Sequence, residues 1–490
     1  ATTNRLNVVF NSDLDGSGAG AILLNTGSSI TSNGGDITLG GGAAGDGSGN
    51  AHGSAANPDG IKLSGATVNA GGGNVALRGT GANARKGIQL DSSSVVSTTG
   101  TGSITLTGIG GTGSANSADG VHIDTSTVSA VSGAININGV GGLSTASGQG
   151  GVWIGGSSLV TTTFGDIHIT GTGGGTGNGS IDHDGVAFAG PATVSAGGAG
   201  NLTIIGVGGN GTGGDSDGVA IYTGSTLQTA SGSLLITGSG GTSGPRNFGV
   251  FMSGGTVQTT AGGNIGVVGT ATLGSNFARG VSVGSSGQIR ATGGGNVALS
   301  GTAGAGSDVQ GVRITNSSAI STTAGAVQIL GTLASGVTGA SSALQVDGGG
   351  SVSANGAISI EGNALGQTGA TGVVLGASSI STSNNNPITI TTDSYTGSGT
   401  ETVSAGTGTL NIRNLSAGTR INLGGADVLT GSPLTLGLAD AELDRITAGT
   451  LVIGRTGATA SGDMTISSAI SPALARNLTL QAGGDIVANA

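Results

Sequence analysis

Glycine dominates this chain of 490 residues, because it accounts for 108 of them, against a typical share of about 7%. The chain lacks cysteine and is acidic, with 14 Lys and Arg against 24 Asp and Glu. Disulfide scaffolds and thiolate metal sites are therefore excluded, and nucleic-acid binding is not expected, since few phosphates would be neutralised. A hydrophobic share of 35% argues against disorder, and no apolar run reaches the ~20 residues of a membrane span.

The first 20 residues form a lead-in segment that contains an acidic run. Asn11, Asp13 and Asp15 have the spacing of the first ligands of an oxygen-rich calcium loop. The twelfth position of such a loop requires a bidentate acid, and Ile22 occupies that position. Two interpretations stay open, a weak calcium site and an acidic turn that leads into the first repeat, and we favour the turn.

A repeat of about 31 residues follows, from residue 21 to about residue 391. Each unit opens with glycine, or twice with alanine, followed by an apolar, a variable and an apolar residue, as in residues 151–154 (GVWI). A Ser/Thr-rich run with one apolar residue comes next, and a glycine turn then leads to an alternating pair such as Ile135 and Ile137. The twelve units begin at Ala21, Gly60, Gly87, Gly120, Gly151, Gly185, Gly218, Gly249, Gly280, Gly311, Ala343 and Gly372.

Three short strands per unit, stacked on the equivalent strands of the next unit, predict an all-β protein with the fold of a parallel β-helix. The inward positions form apolar ladders, one through Val121 and Val152 and another through Leu106 and Ile137. One coil buries too little apolar surface to offset its conformational entropy, so stability belongs to the stack. Residues 392–490 predict an irregular continuation of the β-helix, with one helical turn near residues 440–446 capped by Asp440.

Three segments carry a resemblance to a known family: residues 10–18 (FNSDLDGSG), 30–41 (ITSNGGDITLGG) and 439–451 (ADAELDRITAGTL). They resemble filamentous-haemagglutinin-like bacterial exoproteins, which are very large β-strand-repeat proteins, many exported by two-partner secretion. The resemblance covers the whole chain and implies a right-handed β-helix that forms part of an adhesin's shaft. It also implies an extracellular or cell-surface location on a Gram-negative bacterium.

Aspartate precedes the signature glycine at four unit starts, and these aspartates are Asp59, Asp119, Asp184 and Asp217. Stacked at one corner of the coils, they are weak candidates for binding cations between coils. Other starts lack the acid, so we favour a turn in which each aspartate accepts hydrogen bonds from nearby backbone amides. No cofactor is predicted, and calcium at this corner or in the lead-in segment is the weak alternative.

Neither His183 nor His122 is predicted to be a metal ligand. His183 lies between Asp182 and Asp184, in the densest cluster of metal-ligating residue types in the chain. A metal site would need further donors from adjacent coils, so we predict a loop histidine in water. His122 occupies an outward strand position and is also predicted to be solvated.

Aromatic residues form the most suggestive surface feature. Trp153 and Phe251 occupy the outward middle position of the opening strand, three coils apart, and Tyr222 follows the same strand in a nearby coil. Such residues stack on sugars or pack against a neighbouring molecule, while scattered surface hydrophobics are the favoured alternative. A paired-acid catalytic site is not predicted, because its nearest candidates, Asp91 and Asp124, are two lone acids on turns.

These observations lead to one main hypothesis and one alternative. The main hypothesis is a non-enzymatic structural and adhesive shaft of an exported bacterial filament or giant surface adhesin. Its expected partners are copies of itself, bound end to end or side by side, and surface glycans. The alternative is a carbohydrate-binding adhesin module that uses Trp153, Tyr222 and Phe251.

Overall fold

Both parts of the chain fold as parallel β-helices. The computed structural model describes residues 4–176, 181–271, 276–364, 367 and 369–489, and it divides into two units, Ala1–Gly263 and Asn264–Ala490. The chain makes about 15 turns that lie about 31 residues apart, and it contains almost no helix. The predicted all-β solenoid with short parallel strands is therefore confirmed. No helix in the described ranges combines the length and the apolar character needed to cross a membrane.

Three strands build each regular coil of the first unit. The opening strands are Ile22–Leu24, Ile61–Ser64, Ile88–Asp91, Val121–Asp124, Val152–Gly155, Val186–Phe188, Val219–Tyr222 and Val250–Ser253. The second strands are Ser29–Thr31, Thr67–Asn69, Val95–Ser97, Thr127–Ala130, Leu159–Thr162, Thr193–Ala196, Thr226–Thr229 and Thr256–Thr259. The third strands are Val8–Ser12, Ile37–Gly41, Val75–Thr80, Ile104–Ile109, Ile135–Val140, Ile167–Thr172, Leu202–Val207 and Leu234–Ser239, with the short strand Ala51–His52 beside Val75–Thr80.

The second unit repeats this plan and then departs from it. Its opening strands are Arg279–Gly284, Gln310–Ile314, Ser342–Val346, Thr371–Leu375 and Tyr395–Gly397, and its second strands are Gln288–Ala291, Ala319–Thr322, Gly350–Ala354, Ser378–Thr382 and Thr402–Ser404. Its third strands are Ile265–Thr270, Val297–Ala303, Val327–Leu333, Ile358–Asn363, Ile388–Thr392, Thr409–Arg413, Ile446–Gly454 and Ala475–Gln481. Gly306–Ser307 pairs with Val337–Thr338, and a separate four-stranded sheet contains Arg420–Leu423, Thr435–Leu438, Met464–Ile466 and Ile486–Ala488.

Inward side chains form continuous apolar ladders. Leu106 pairs with Ile137 and Ile137 pairs with Ile169 in the third strands, and all three side chains are fully buried. In the opening strands, Val121 pairs with Val152 in the same way. The register is constant from coil to coil, so residues of one kind stack on each other, and β-branched side chains pack well on such a pleated surface. The ladders predicted from the sequence are confirmed.

Two rows of glycine meet where each third strand is followed by the next opening strand. One row contains the signature glycines, and the other occupies the fifth position of the third strands. A Cβ atom added to Gly171 would lie 1.9 Å from the carbonyl oxygen of Gly185, although real Cβ atoms do not approach closer than 3.0 Å. The two backbones touch with no room for a side chain on the third strand, which is why that row requires glycine, whereas the signature row contains alanine at Ala21 and Ala343. The second row contains Gly79, Gly108, Gly139, Gly171, Gly206 and Gly238 in the first unit, and Gly269, Gly301, Gly331 and Gly362 in the second.

A single helical turn lies in the irregular part of the second unit. It spans Asp440–Leu443, close to the turn predicted from the sequence, but its N-cap is Ala439 and Asp440 is the first helical residue. The carboxylate of Glu442 accepts a hydrogen bond from the amide of Ala439 at 2.9 Å. Glu442, inside the first turn, thus accepts the hydrogen bond of the Ala439 amide at the N-cap, and the side chain of Asp440 is not needed as a cap.

Candidate functional site

The four aspartates that precede a signature glycine are buried and join successive coils. In each of them, Oδ1 accepts a hydrogen bond from the backbone amide at the same corner of the next coil. The four pairs are Asp59 with Lys86, Asp119 with Gly150, Asp184 with Asp217, and Asp217 with Phe248, at distances of 2.8 to 3.2 Å. The acid therefore satisfies a buried donor that would otherwise be costly to leave unpaired.

This geometry refines the prediction for these corners. Each aspartate does accept a hydrogen bond from a backbone amide, but the donating amide lies 27 to 33 residues further along the chain rather than in the same turn. The reason is that stacked coils bring equivalent corners close together, so the nearest free amide belongs to the next coil. Within the described ranges no three His, Cys, Asp or Glu side chains are grouped to hold a metal ion, and cation binding here stays a prediction.

An open groove of about 410 Å³ lies on the opening-strand face of the first unit. It arises from one row of outward side chains, in which Trp153 pairs with Ala187, Ala187 with Ala220, and Ala220 with Phe251. Ala220 is fully buried, and the depression lies over the small side chain of Ala187, beside the ring of Trp153. Its lining includes Trp153, Ala187 and Tyr222.

Trp153 is held in place by its neighbours on the preceding coil. Its ring stacks on the imidazole of His122, with centroids 4.3 Å apart and planes inclined by 7°. His122 Nδ1 lies 2.7 Å from Asp119 Oδ2. Gly155 leaves room for the indole, because a Cβ atom there would lie 2.0 Å from the ring. His122 points outward as predicted, but it lies under the tryptophan and is not fully solvated.

Tyr222 lines the groove on the other side of Ala187. It packs edge to face against Phe251, with centroids 6.0 Å apart, and Phe251 packs in turn against Phe248 at 5.1 Å. Burial raises the pKa of the Tyr222 hydroxyl, and the carboxylates of Asp184 and Asp217 raise it further, so the phenol keeps its proton. The structure thus brings Trp153 and Tyr222 to one groove and places Phe251 against Tyr222.

Carboxylates line the groove beside these rings, namely Asp119, Asp182 and Asp184. Partial desolvation raises the pKa of Asp182, although this residue is exposed; the nearby charge of Asp215 raises it further, and that of Arg246 lowers it. Burial likewise raises the pKa of Asp184 and that of Asp217, and in both cases neighbouring carboxylates add to the effect. Carboxyl groups are therefore crowded beside the groove without sufficient cationic compensation, and this environment favours their protonated forms.

The polar side chains of the lead-in segment are engaged in hydrogen bonds, those of Asp13 and Asp15 within the segment and that of Asn11 with the first coil. Asn11 binds the carbonyl of Gly42 and the amide of Gly47, both at 2.9 Å. Asp13 accepts hydrogen bonds from the Ser17 hydroxyl and the Gly18 amide at 3.0 Å, while Asp15 accepts one from the Ser17 amide at 3.2 Å. These bonds match the interpretation as an acidic turn, and the calcium site at Asn11, Asp13 and Asp15 stays a prediction.

His183 is buried, so the prediction of a loop histidine in water is wrong. Its Nδ1 accepts a hydrogen bond from the amide of Gln149 at 3.2 Å, and glycines such as Gly175 pack against its ring. Burial lowers the pKa of His183 and keeps the ring neutral. The chain closes over the ring because the flanking glycines let the backbone approach it.

In comparisons with known proteins, the chain matches no family model, no curated protein and no solved structure. The fold and its repeat place the chain in the class of β-helical repeat proteins. Its functional assignment therefore rests on the groove and on the stack of coils.

Proposed function

We propose that this chain is a non-enzymatic structural and adhesive segment of an exported bacterial filament or surface adhesin. The observation that carries the proposal is the unbroken pairing of like strands, in which each coil is completed by its neighbours. In the first unit, one edge of the strand Val8–Ser12 pairs with Ile37–Gly41. No strand of the described chain pairs with the other edge of Val8–Ser12. Among the described residues of the second unit, the strand that pairs with Ile486–Ala488 is Met464–Ile466. A coil of this kind presents a strand edge to whatever coil is added to the stack, whether from the same chain or from a further copy.

Electron microscopy of the purified chain across a range of concentrations tests this proposal. We expect filaments that lengthen with concentration, and we expect Val487→Lys to abolish them because lysine on an edge strand opposes further pairing. Val487 is 44% exposed, and Leu143→Lys, at a residue 60% exposed, is the matched control that should assemble normally. Addition of calcium is expected to change nothing. Single particles at every concentration would contradict the structural part of the proposal.

A second candidate function is recognition of carbohydrate, and the groove favours it. The indole of Trp153 is stacked on His122 through one face, while its neighbour on the other side, Ala187, presents only a methyl group. A fixed aromatic face beside carboxylates and a phenol is the combination that binds a sugar ring, since the apolar face of the sugar stacks and its hydroxyls donate hydrogen bonds.

A titration of the full chain with soluble oligosaccharides tests the second candidate. We expect Trp153→Ala to weaken binding at least about tenfold, because the stacking surface is lost. Phe164→Ala is the matched control, since Phe164 is 62% exposed and does not line the groove. The groove does hold three carboxylates, so the length of the oligosaccharides is measured after incubation. We expect no change in length, and shorter products would overturn the non-enzymatic assignment.

A further inference from the structure

The groove has an unbalanced charge. Asp119, Asp182 and Asp184 line it, and no lysine or arginine is among its lining residues in the described chain. Asp119 is bonded to His122 and Asp215 to Arg246, whereas neither Asp182 nor Asp184 forms an ion pair with a described residue. Two carboxyl groups outside any ion pair of the described residues therefore face the space beside Trp153, and the charge of Arg246, which is paired with Asp215, acts on Asp182 from a distance.

Asp184 has one oxygen available to a ligand. Its side chain is about nine-tenths buried, with 6% of the residue exposed, and its Oδ1 is engaged by the amide of Asp217 at 2.9 Å. No described residue donates a hydrogen bond to its Oδ2. This oxygen is reached from the groove, where a cationic donor of a ligand can approach it and form a charge-assisted hydrogen bond. The raised pKa of Asp184 reflects the same lack of compensation.

We propose that this groove binds sugars bearing a protonated amine, with the ammonium group between Asp184 and Asp182 and the sugar ring against Trp153. The inference rests on the proposed recognition of carbohydrate and specifies the class of sugar. An ammonium group supplies the donors that Asp184 Oδ2 and Asp182 lack, and the attraction is strong in a half-enclosed site. The aromatic face accommodates the carbon skeleton and attracts the positive charge.

The same geometry selects against other sugars. An N-acetylated sugar is neutral and offers a weaker donor to Asp184, so it leaves the carboxylate without a counter-charge. A uronic acid brings a negative charge close to Asp119, Asp182 and Asp184 and is repelled. We therefore expect the affinity of the groove to decrease from sugars with a protonated amine to N-acetylated sugars, and from these to uronic acids.

Calorimetric titration of the full chain at a slightly acidic pH tests this ranking with three probes: a glucosamine tetrasaccharide, its N-acetylated form and a galacturonic acid tetrasaccharide. At this pH the raised pKa of about 8 leaves Asp184 protonated in the free protein, so binding of the ammonium group releases that proton to the buffer. We expect the glucosamine probe to bind about tenfold more tightly than the N-acetylated one, as for a charge-assisted hydrogen bond, and the galacturonic acid probe not to bind. Asp184→Asn should remove the preference, and Asp182→Asn, at an exposed residue without a structural hydrogen bond, should reduce it. Asp59→Asn is the control at the equivalent corner outside the groove.

Failure of the amine preference and failure of carbohydrate recognition give different results. Equal binding of the glucosamine and N-acetylated probes, with both lost in Trp153→Ala, would overturn the selection for amines and retain carbohydrate recognition. Absence of binding by all three probes would overturn both. If the glucosamine preference persists in the folded Asp182→Asn and Asp184→Asn variants, the assignment of these two carboxylates is wrong. Thermal melting of each variant verifies that it is folded.

Discussion

Replacing Gly171 by alanine is expected to destabilise the protein by on the order of 3 kcal/mol or more. The new Cβ atom would lie 1.9 Å from the carbonyl oxygen of Gly185, so the third strand and the following opening strand must separate. That carbonyl accepts a hydrogen bond from the amide of Val152 at 3.0 Å, and the separation therefore also breaks a bond between coils. Denaturant unfolding of the variant, followed by circular dichroism, measures the loss.

Gly72→Ala is the matched control for this substitution. A Cβ atom on Gly72 would meet nothing closer than 3.8 Å, and its backbone does not have a positive φ angle. We expect its stability to remain within about 0.5 kcal/mol of the original protein. Equal effects of the two substitutions would show that glycine is needed in the third strands for some reason other than backbone contact.

Replacing Asp217 by asparagine is expected to stabilise the protein at alkaline pH and to have little effect near pH 4. Burial raises the pKa of Asp217 well above its ordinary value, and the neighbouring carboxylate of Asp184 raises it further. The folded state therefore holds this proton more tightly than the unfolded state. The free energy of unfolding consequently declines as the pH rises above about 4, the ordinary pKa of an aspartate. The decline continues up to the raised pKa of the folded state and is complete at higher pH. Asparagine carries no charge and keeps an oxygen for the Phe248 amide.

Melting temperatures measured between about pH 4 and pH 9 test this expectation. Each unit of pKa shift is worth about 1.4 kcal/mol, so we expect the variant to melt several degrees higher at the alkaline end. Asp59→Asn is the control, because Asp59 accepts the equivalent amide hydrogen bond but lies 3.5 Å from the guanidinium of Arg85. A gain in Asp59→Asn as large as that in Asp217→Asn would contradict the role assigned to neighbouring carboxylates.

The fold could be predicted because its main determinant is local and periodic. Alternation with period two, as at Ile135 and Ile137, indicates which side chains point inward, and repetition at about 31 residues indicates which strands pair. The contact between the two glycine rows could not be predicted in this way. A sequence indicates that Gly171 recurs at a fixed position, but only the three-dimensional path of the chain shows that it touches Gly185.

The candidate site could be predicted in its parts but not as a whole. Trp153, Tyr222 and the corner aspartates were each identified from position, but nothing in their spacing indicated that an aromatic row and an acidic corner share one groove. The contact between His122 and Trp153 was missed, although the repeat places both at the same position in successive coils. The small side chains at Ala187 and Ala220 were also not predicted to matter, because a small residue is recognised as part of a groove only when the large residues beside it are known.

The constant register between coils has a consequence for how such a chain changes in evolution. Leu106, Ile137 and Ile169 are interchangeable members of one ladder, so recombination between equivalent strands adds or removes an entire coil without exposing the core. Loss of a single residue within a strand, by contrast, turns its inward side chains to solvent. Gain or loss of one coil between Trp153 and Phe251 would alter the distance between these rings by about 4.8 Å. Lineages of this protein are therefore expected to differ in length by whole coils, and their ligand preferences to differ in the same steps.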